Sequence, residues 1–221
     1  MEKTVKNDGV ILDIDGTIWN TTGVVAVAWN RAIDISGFQK EFDVRKVNAQ
    51  MLQGEFGKTM DRIAQDLWPD LPKEKADVLL SHCCSEEHLA VKETALDLTY
   101  PGVIETIREL SSSTNFFIVS NCQDGYIELT MEKCGISDYI KDYESFGRTG
   151  KGKAENLQMI VQRNQISSPI YVGDTQGDAD ACAQAGIPFV WASYGFGKAN
   201  EDSYIAKLKR FSDLHEIVFI P

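Results

Sequence analysis

Apolar residues follow two rhythms along this chain. Residues 10–14, 116–120, 169–173 and 188–192 are apolar almost without interruption, and residues 139–146 carry a weaker, mixed run. Such short runs predict strands buried on both faces, as in a parallel sheet covered by helices. Between them the period lengthens to that of a helix, over residues 102–110, 125–134, 153–164 and 178–185. Gly135 and Gly186 stand where the second and fourth of these helices should stop. The alternation predicts an α/β fold built on a doubly wound, mainly parallel sheet.

One long stretch breaks the alternation. From about residue 21 to residue 95 the periods are helical and no buried strand stands out. Ala76, Leu79, Leu80 and Cys83 share one stripe of a helix over residues 73–92, and residues 59–68 and 44–52 look similar. This reads as an inserted helical domain, 18–94, within a discontinuous core of residues 1–17 and 95–221. Tyr100-Pro101-Gly102 marks the return to the core.

Composition narrows the function classes. The 221 residues are 43% hydrophobic and 25% charged, ordinary values for a soluble globular protein whose core needs no disulfides. The net charge of −11 disfavours nucleic acid and anionic membrane as main partners. The start, residues 1–8, is too polar for a signal peptide, and no apolar run approaches the ~18 residues of a membrane span. Cys83, Cys84, Cys122, Cys134 and Cys182 are odd in number and lack a C-x-x-C spacing, so free thiols in a reducing cytoplasm are expected.

Against this ordinary background, polar residues gather where the apolar strands end. Asp13-Ile14-Asp15-Gly16-Thr17 closes the first, Ser120-Asn121 the second, and Gly173-Asp174-Thr175-Gln176-Gly177-Asp178 the fourth. Asp is a poor strand residue and is rarely buried without a partner. In open α/β sheets ligands bind at the carboxyl ends of the strands. Four carboxylates brought to one edge repel, a single pair at ~4 Å costing about 4 kcal/mol at an effective dielectric near 20. A hard divalent cation relieves that repulsion, and all-oxygen ligands suit Mg²⁺.

These motifs, in this order, resemble the haloacid dehalogenase superfamily, with the phosphoglycolate-phosphatase-like members the nearest subgroup and a helical cap inserted after the first motif. The resemblance places the first motif at Asp13 to Thr17, the second at Ser120, the third at Lys153 and the fourth at Gly173 to Asp178. It implies catalytic roles for Asp13 and Asp15, phosphate binding by Thr17, Ser120, Asn121 and Lys153, and a Mg²⁺ site made by Asp13, Asp15 (through its backbone carbonyl), Asp174 and Asp178. The last of these is also expected to orient a metal-bound water or Lys153. The implied reaction is hydrolysis of a small phosphomonoester through an aspartyl phosphate, in a monomer or weak homodimer.

The residue chemistry agrees. Asp13 can attack phosphorus, and Asp15 can protonate the leaving oxygen and then activate water. Members of the family that cleave carbon–halogen bonds typically lack a carboxylate at the place of Asp15, so the resemblance implies phosphate esters. Trp19-Asn20-Thr21-Thr22 departs from the Asp-Ser common in relatives, which bears on specificity and not on the reaction. A sugar-phosphate mutase of the same fold and a non-catalytic binding protein on this scaffold are the alternatives.

Other features carry less. The segment from Gly147 to Ala154 nearly spells a phosphate-binding P-loop but ends in Ala154 where Ser or Thr should hold Mg²⁺, and it leaves Lys151 as a competitor to Lys153. A calcium loop at residues 174–185 fails at Ala179 and Ala185. His82 and His88 fall on different helical faces, and Cys122 has no evident His partner. Trp19, Trp29 and Trp68 are core candidates of the cap, with Trp19 and Lys58 as candidates for reaching substrate. Tyr194-Gly195-Phe196-Gly197 follows the last core strand and is expected either to shape the loop beside the site or only to make a turn.

Overall fold

A computed structural model describes residues 7–218; most of the polar start read above lies outside them. The chain forms two compact units, one of residues 1–20 and 99–221, the other of residues 21–98. In chain order the elements are β1 (Gly9–Leu12), α1 (Thr22–Ser36), α2 (Ala49–Glu55), α3 (Met60–Leu67), α4 (Lys73–Glu93), α5 (Val103–Leu110), β2 (Asn115–Ser120), α6 (Tyr126–Cys134), β3 (Ile140–Ser145), α7 (Phe146–Thr149), α8 (Lys153–Arg163), β4 (Pro169–Gly173), α9 (Gln176–Ala185), β5 (Phe189–Ala192), β6 (Ala206–Leu208) and α10 (Leu214–Val218).

The first unit is built on a six-stranded sheet of order β3-β2-β1-β4-β5-β6, parallel at every pairing. The chain winds outward from β1 to β3, then restarts at β4 on the other side of β1, so the switch point lies between β1 and β4. Every residue of β1 is buried, as its unbroken apolar run requires. Ile11, Phe117, Val119, Tyr171 and Phe189 join Leu157, Ile160 and Cys182 in one core cluster, which packs α8 and α9 on a single face of the sheet.

Several boundaries differ from the sequence expectation. β1 stops at Leu12, so Asp13 begins the loop. β6 is only Ala-Lys-Leu, too short and too mixed for a periodic signal. α9 starts two residues before the expected Asp178, because the Thr175 hydroxyl accepts a hydrogen bond from the Asp178 N–H and Asp178 in turn caps Thr175. Residues 44–48 are not helical; Asn48 caps α2 instead, accepting from the Met51 N–H.

The regular elements of the second unit are all helices. Its centre is tied by polar bonds: the Trp29 indole donates to Glu87 on α4 at 2.7 Å, and the Trp68 indole donates to the Arg45 carbonyl at 3.0 Å. The two indoles meet at a tilt of 39°, with ring centres 6.2 Å apart. Trp29 and Trp68 are thus core residues of this unit, while Trp19 belongs to the first. Among the described residues no helix is long and apolar enough to cross a membrane, and all five cysteines are free.

Candidate active site

Asp13, directly after β1, and Asp174, directly after β4, stand on the two strands that flank the switch point. Asp178 joins them from the first turn of α9. One carboxylate oxygen from each of the three lies within 4.8 Å of the others. All three are buried, and so is Lys153 at the start of α8. Its ammonium donates to Asp13 Oδ1 at 3.0 Å and to Asp178 Oδ1 at 2.5 Å. Three carboxylates against one ammonium leave two negative charges uncompensated in a water-poor site.

The three acids are not equivalent. Both Asp178 oxygens are engaged: Oδ1 also accepts from the Tyr171 hydroxyl at 3.3 Å, and Oδ2 accepts from the Thr175 N–H and hydroxyl at 3.0 and 2.7 Å. Asp174 presents Oδ2 to the backbone N–H groups of Phe196 and Gly197, at 2.8 and 2.9 Å. Its Oδ1, like Asp13 Oδ2, is buried with no hydrogen-bond partner among the described residues. A buried carboxylate oxygen left bare costs free energy, so two of them at the mouth of one acidic cluster ask for a partner. The all-oxygen donor set and the surplus of negative charge fit a hard divalent cation. Glu144 Oε2 also lacks a hydrogen bond, but the Arg148 guanidinium stands 3.9 Å away and Arg163 holds the other oxygen.

The electrostatics follow this geometry. Burial pushes the Asp174 carboxyl up to about 7, reinforced by the charges of Asp178 and Asp13. Burial also raises Asp13, partly offset by Lys153. Burial pushes Asp178 the same way, but the Lys153 charge and the hydrogen bonds from Lys153 and Thr175 more than offset it, leaving Asp178 below the usual carboxylate range. Burial disfavours the Lys153 ammonium, yet the adjacent Asp13 and Asp178 hold it charged well above the ordinary lysine value.

The backbone is shaped to let these groups meet. Gly16 has φ +81, and a Cβ there would stand 2.2 Å from Asp174 Oδ2. A Cβ on Gly195 would press on the Gly16 carbonyl at 2.3 Å and on Asp174 Cβ at 2.5 Å. Only glycine permits the loops after β1 and β5 to close on Asp174.

Of the other residues singled out from sequence, Ser120 is buried at the end of β2, beside β1, with Asn121 next in the loop. Thr17 is buried; its hydroxyl has no hydrogen-bond partner among the described residues, and its carbonyl accepts from the Tyr194 hydroxyl at 2.8 Å. Asp15 stays outside the acidic cluster. Its side chain is half-buried, and Oδ1 accepts from the Tyr126 hydroxyl at 3.1 Å. Lys151 is exposed with Nζ 3.6 Å from Met159 Sδ, whereas Lys153 is in the cluster. Lys58 is held by Glu55 and Asp66 in the helical unit. Burial pushes the Cys122 thiol well above its ordinary value, which keeps it from being a thiolate.

Sequence reasoning missed four supports. Thr175 was visible as a Ser/Thr-x-x-acid cap. The amides of Phe196 and Gly197 had only the turn residues as a signal. Tyr171 and Tyr126 read as apolar core, since a phenol's polar tip leaves no mark on periodicity.

A doubly wound parallel sheet with charged groups converging on its switch point is the architecture of α/β enzymes that act at the strand ends. The chain belongs to the haloacid dehalogenase-like hydrolases, whose family profile matches residues 10–192. No curated protein matches it. Solved structures share the fold at low identity. A predicted phosphoglycolate phosphatase from Haemophilus somnus is 18% identical with a TM-score of 0.81, over 96% of this chain and 97% of that one. A predicted phosphatase from Clostridium acetobutylicum is 15% identical with a TM-score of 0.80, over 96% and 98%. CbbY from Rhodobacter sphaeroides, solved with xylulose-(1,5)bisphosphate, is 13% identical with a TM-score of 0.78, over 97% and 100%.

Proposed function

We propose that the protein is a Mg²⁺-dependent phosphatase acting on a small phosphomonoester. The observation that carries this reading is the buried acidic cluster in which Asp13 and Asp174 each keep one oxygen without a partner while Lys153 bridges Asp13 and Asp178. Asp13, Asp174 and the Asp15 backbone carbonyl would hold the cation, and Asp178 acts through Lys153. When bound, the cation supplies positive charge to the phosphoryl oxygens and relieves the repulsion among the acids.

The chain's own residues carry the reaction. A carboxylate oxygen of Asp13 forms a bond to phosphorus as the ester P–O bond breaks, and the leaving oxygen takes a proton from Asp15. Water then attacks the aspartyl phosphate, and Asp15 takes its proton back as Asp13 and inorganic phosphate are released. Lys153, with Ser120, Asn121 and Thr17, holds the transferring group; its ammonium also keeps Asp13 oriented. Asp178 is a positioning residue: its oxygens are spent on Lys153, Thr175 and Tyr171.

Residues 21–98 serve in this reading as the cap that selects a small substrate. The phosphoglycolate phosphatase and bisphosphate-bound neighbours support a small phosphorylated metabolite as substrate. Phosphate release across a panel of phosphorylated metabolites and a phosphopeptide tests the reading. The expected result is a kcat/KM well above that of the phosphopeptide for at least one metabolite. A ratio at or below unity would move the function toward macromolecular substrates, and no release from any compound would overturn it.

A further inference from the structure

Asp174 is held at two points from the β5 side of the sheet. Its side chain is fixed by the Phe196 and Gly197 N–H groups, which both donate to Oδ2. Its backbone carbonyl accepts from the Trp191 indole N–H at 3.0 Å, and no other donor among the described residues reaches that oxygen. Trp191 lies on β5 as the register partner of Gly173, the residue before Asp174, so its ring stands beside the turn that carries the acid. Tyr204 packs on the ring with centres 5.4 Å apart, and the Lys207 ammonium sits 4.6 Å from the ring centre. A Cβ at Gly197 would stand 2.6 Å from the same carbonyl, so the loop after β5 also packs closely against this peptide.

We infer that Trp191 is a positioning residue that fixes Asp174 for a small divalent cation and so sets a preference for Mg²⁺ over Ca²⁺. This rests on the Mg²⁺-dependent reading above. With Oδ2 and the carbonyl both anchored, neither the peptide nor the carboxylate turns freely, and the open Oδ1 keeps one direction. Mg²⁺ demands near-ideal octahedral geometry with ligands at about 2.0–2.1 Å, whereas Ca²⁺ accepts about six to eight oxygens at roughly 2.3–2.6 Å in flexible arrangements. A ligand fixed in advance therefore matters more to Mg²⁺ than to Ca²⁺. Without the indole N–H the carboxylate is anchored at Oδ2 alone, the turn relaxes, and the site loses the geometry that the smaller ion needs.

The test is calorimetric binding of Mg²⁺ and of Ca²⁺ to the chelator-stripped full chain, unmodified and as Trp191→Phe. That change keeps an aromatic ring beside Tyr204 and Lys207 and removes the N–H. The expected result is a fall in Mg²⁺ affinity of about fivefold, the scale of one hydrogen bond, with Ca²⁺ affinity changed by less than about twofold, so that the preference for Mg²⁺ narrows. Lys207→Met, which takes the cation from the ring and leaves the N–H in place, should change neither affinity. Trp191→Leu serves the same comparison if the Phe variant does not fold. Equal falls for both ions, an unchanged Mg²⁺ affinity, or an effect of Lys207→Met as large as that of Trp191→Phe would overturn the positioning role while leaving the Mg²⁺ site intact. An unmodified protein that binds no Mg²⁺ would instead overturn the reading on which the role rests.

Discussion

The two units both bury carboxylates, and they treat them in opposite ways. In the helical unit Glu87 is 3% exposed, but the Trp29 indole donates to it at 2.7 Å, and Trp29 is locked in place by Trp68. At the sheet edge Asp13 and Asp174 are buried as deeply, and each keeps an oxygen without a hydrogen bond among the described residues. Burial of an acid is thus no mark of function by itself. An acid whose capacity is filled by protein donors organises a core; one whose capacity is left open, beside other acids, is kept for something that binds.

The largest expected break in this comparison comes from Asp13, the nucleophile of the proposed reaction. Asp13→Asn keeps the shape and removes the attacking anion, and turnover should fall by a factor on the order of 10⁴ or more, with the fold retained by circular dichroism. Near-normal turnover would exclude an aspartyl phosphate. Next comes the cation inside the cluster. Lys153→Ala strips the ammonium from Asp13 and Asp178 and should cost about 10²-fold or more in kcat together with affinity for substrate. It should also lower stability by about 3 kcal/mol, as expected when one partner of a buried ion pair is removed. Lys151→Ala, at an exposed site, should change kcat by less than about twofold; the reverse ranking would mean that the wrong lysine has been placed in the site.

A third pair sets the two units directly against each other. Glu87→Ala leaves the Trp29 indole without its acceptor and should destabilise by about 1–3 kcal/mol in denaturant unfolding, with kcat of the folded protein nearly unchanged. Asp174→Ala should instead raise the Mg²⁺ concentration for half activation by about tenfold or more, with the relief of acidic repulsion in the metal-free protein set against the loss of the acceptor for the Phe196 and Gly197 N–H groups. Asp178→Ala should weaken Mg²⁺ less than Asp174→Ala does. A Glu87 variant that lost catalysis as deeply as Asp174→Ala would erase the distinction.

The smallest expected effect is on pH dependence. Asp174 binds its proton up to about pH 7 in the folded, metal-free protein, against an ordinary value of 3.8. A folded value raised in this way favours the folded state below the ordinary value, and that contribution is lost as pH rises through about 7. The melting temperature in chelator should therefore fall between about pH 4 and pH 7. Mg²⁺ replaces the proton, so its stabilisation should grow over the same range. Melting curves with and without Mg²⁺ that stay parallel across this range would contradict the raised carboxyl.

Much of this was legible in the chain. β4 was expected at its observed bounds because Pro169 and Gly173 punctuate a run buried on both faces. Asp13, Asp174 and Asp178 were visible because acids at the ends of apolar strands have no packing reason to be there. Lys153 and Lys151 could not be separated by spacing alone, since a helix start decides which one turns inward. β6 was missed because its three residues draw their order from pairing with β5, a contact with no local pattern. The Asp174 amide clamp was missed for a related reason: backbone N–H groups from a loop some twenty residues away belong to no side-chain motif. In the helical unit α1 gave no separate signal, and nothing in the spacing of α4 marks Glu87 as the acceptor of the Trp29 indole, a contact between residues 58 apart in the chain.

The central claim is that the two open oxygens of Asp13 and Asp174 receive a divalent cation without which no phosphoryl group is transferred. The most direct test is turnover of p-nitrophenyl phosphate by the purified protein, first stripped with a chelator and then titrated with Mg²⁺, with calorimetric Mg²⁺ binding measured on the same sample. The expected result is no turnover in chelator, recovery that tracks the bound fraction of one Mg²⁺ per chain, and loss of both binding and recovery in Asp174→Ala. Turnover that is equal with and without chelator would contradict it.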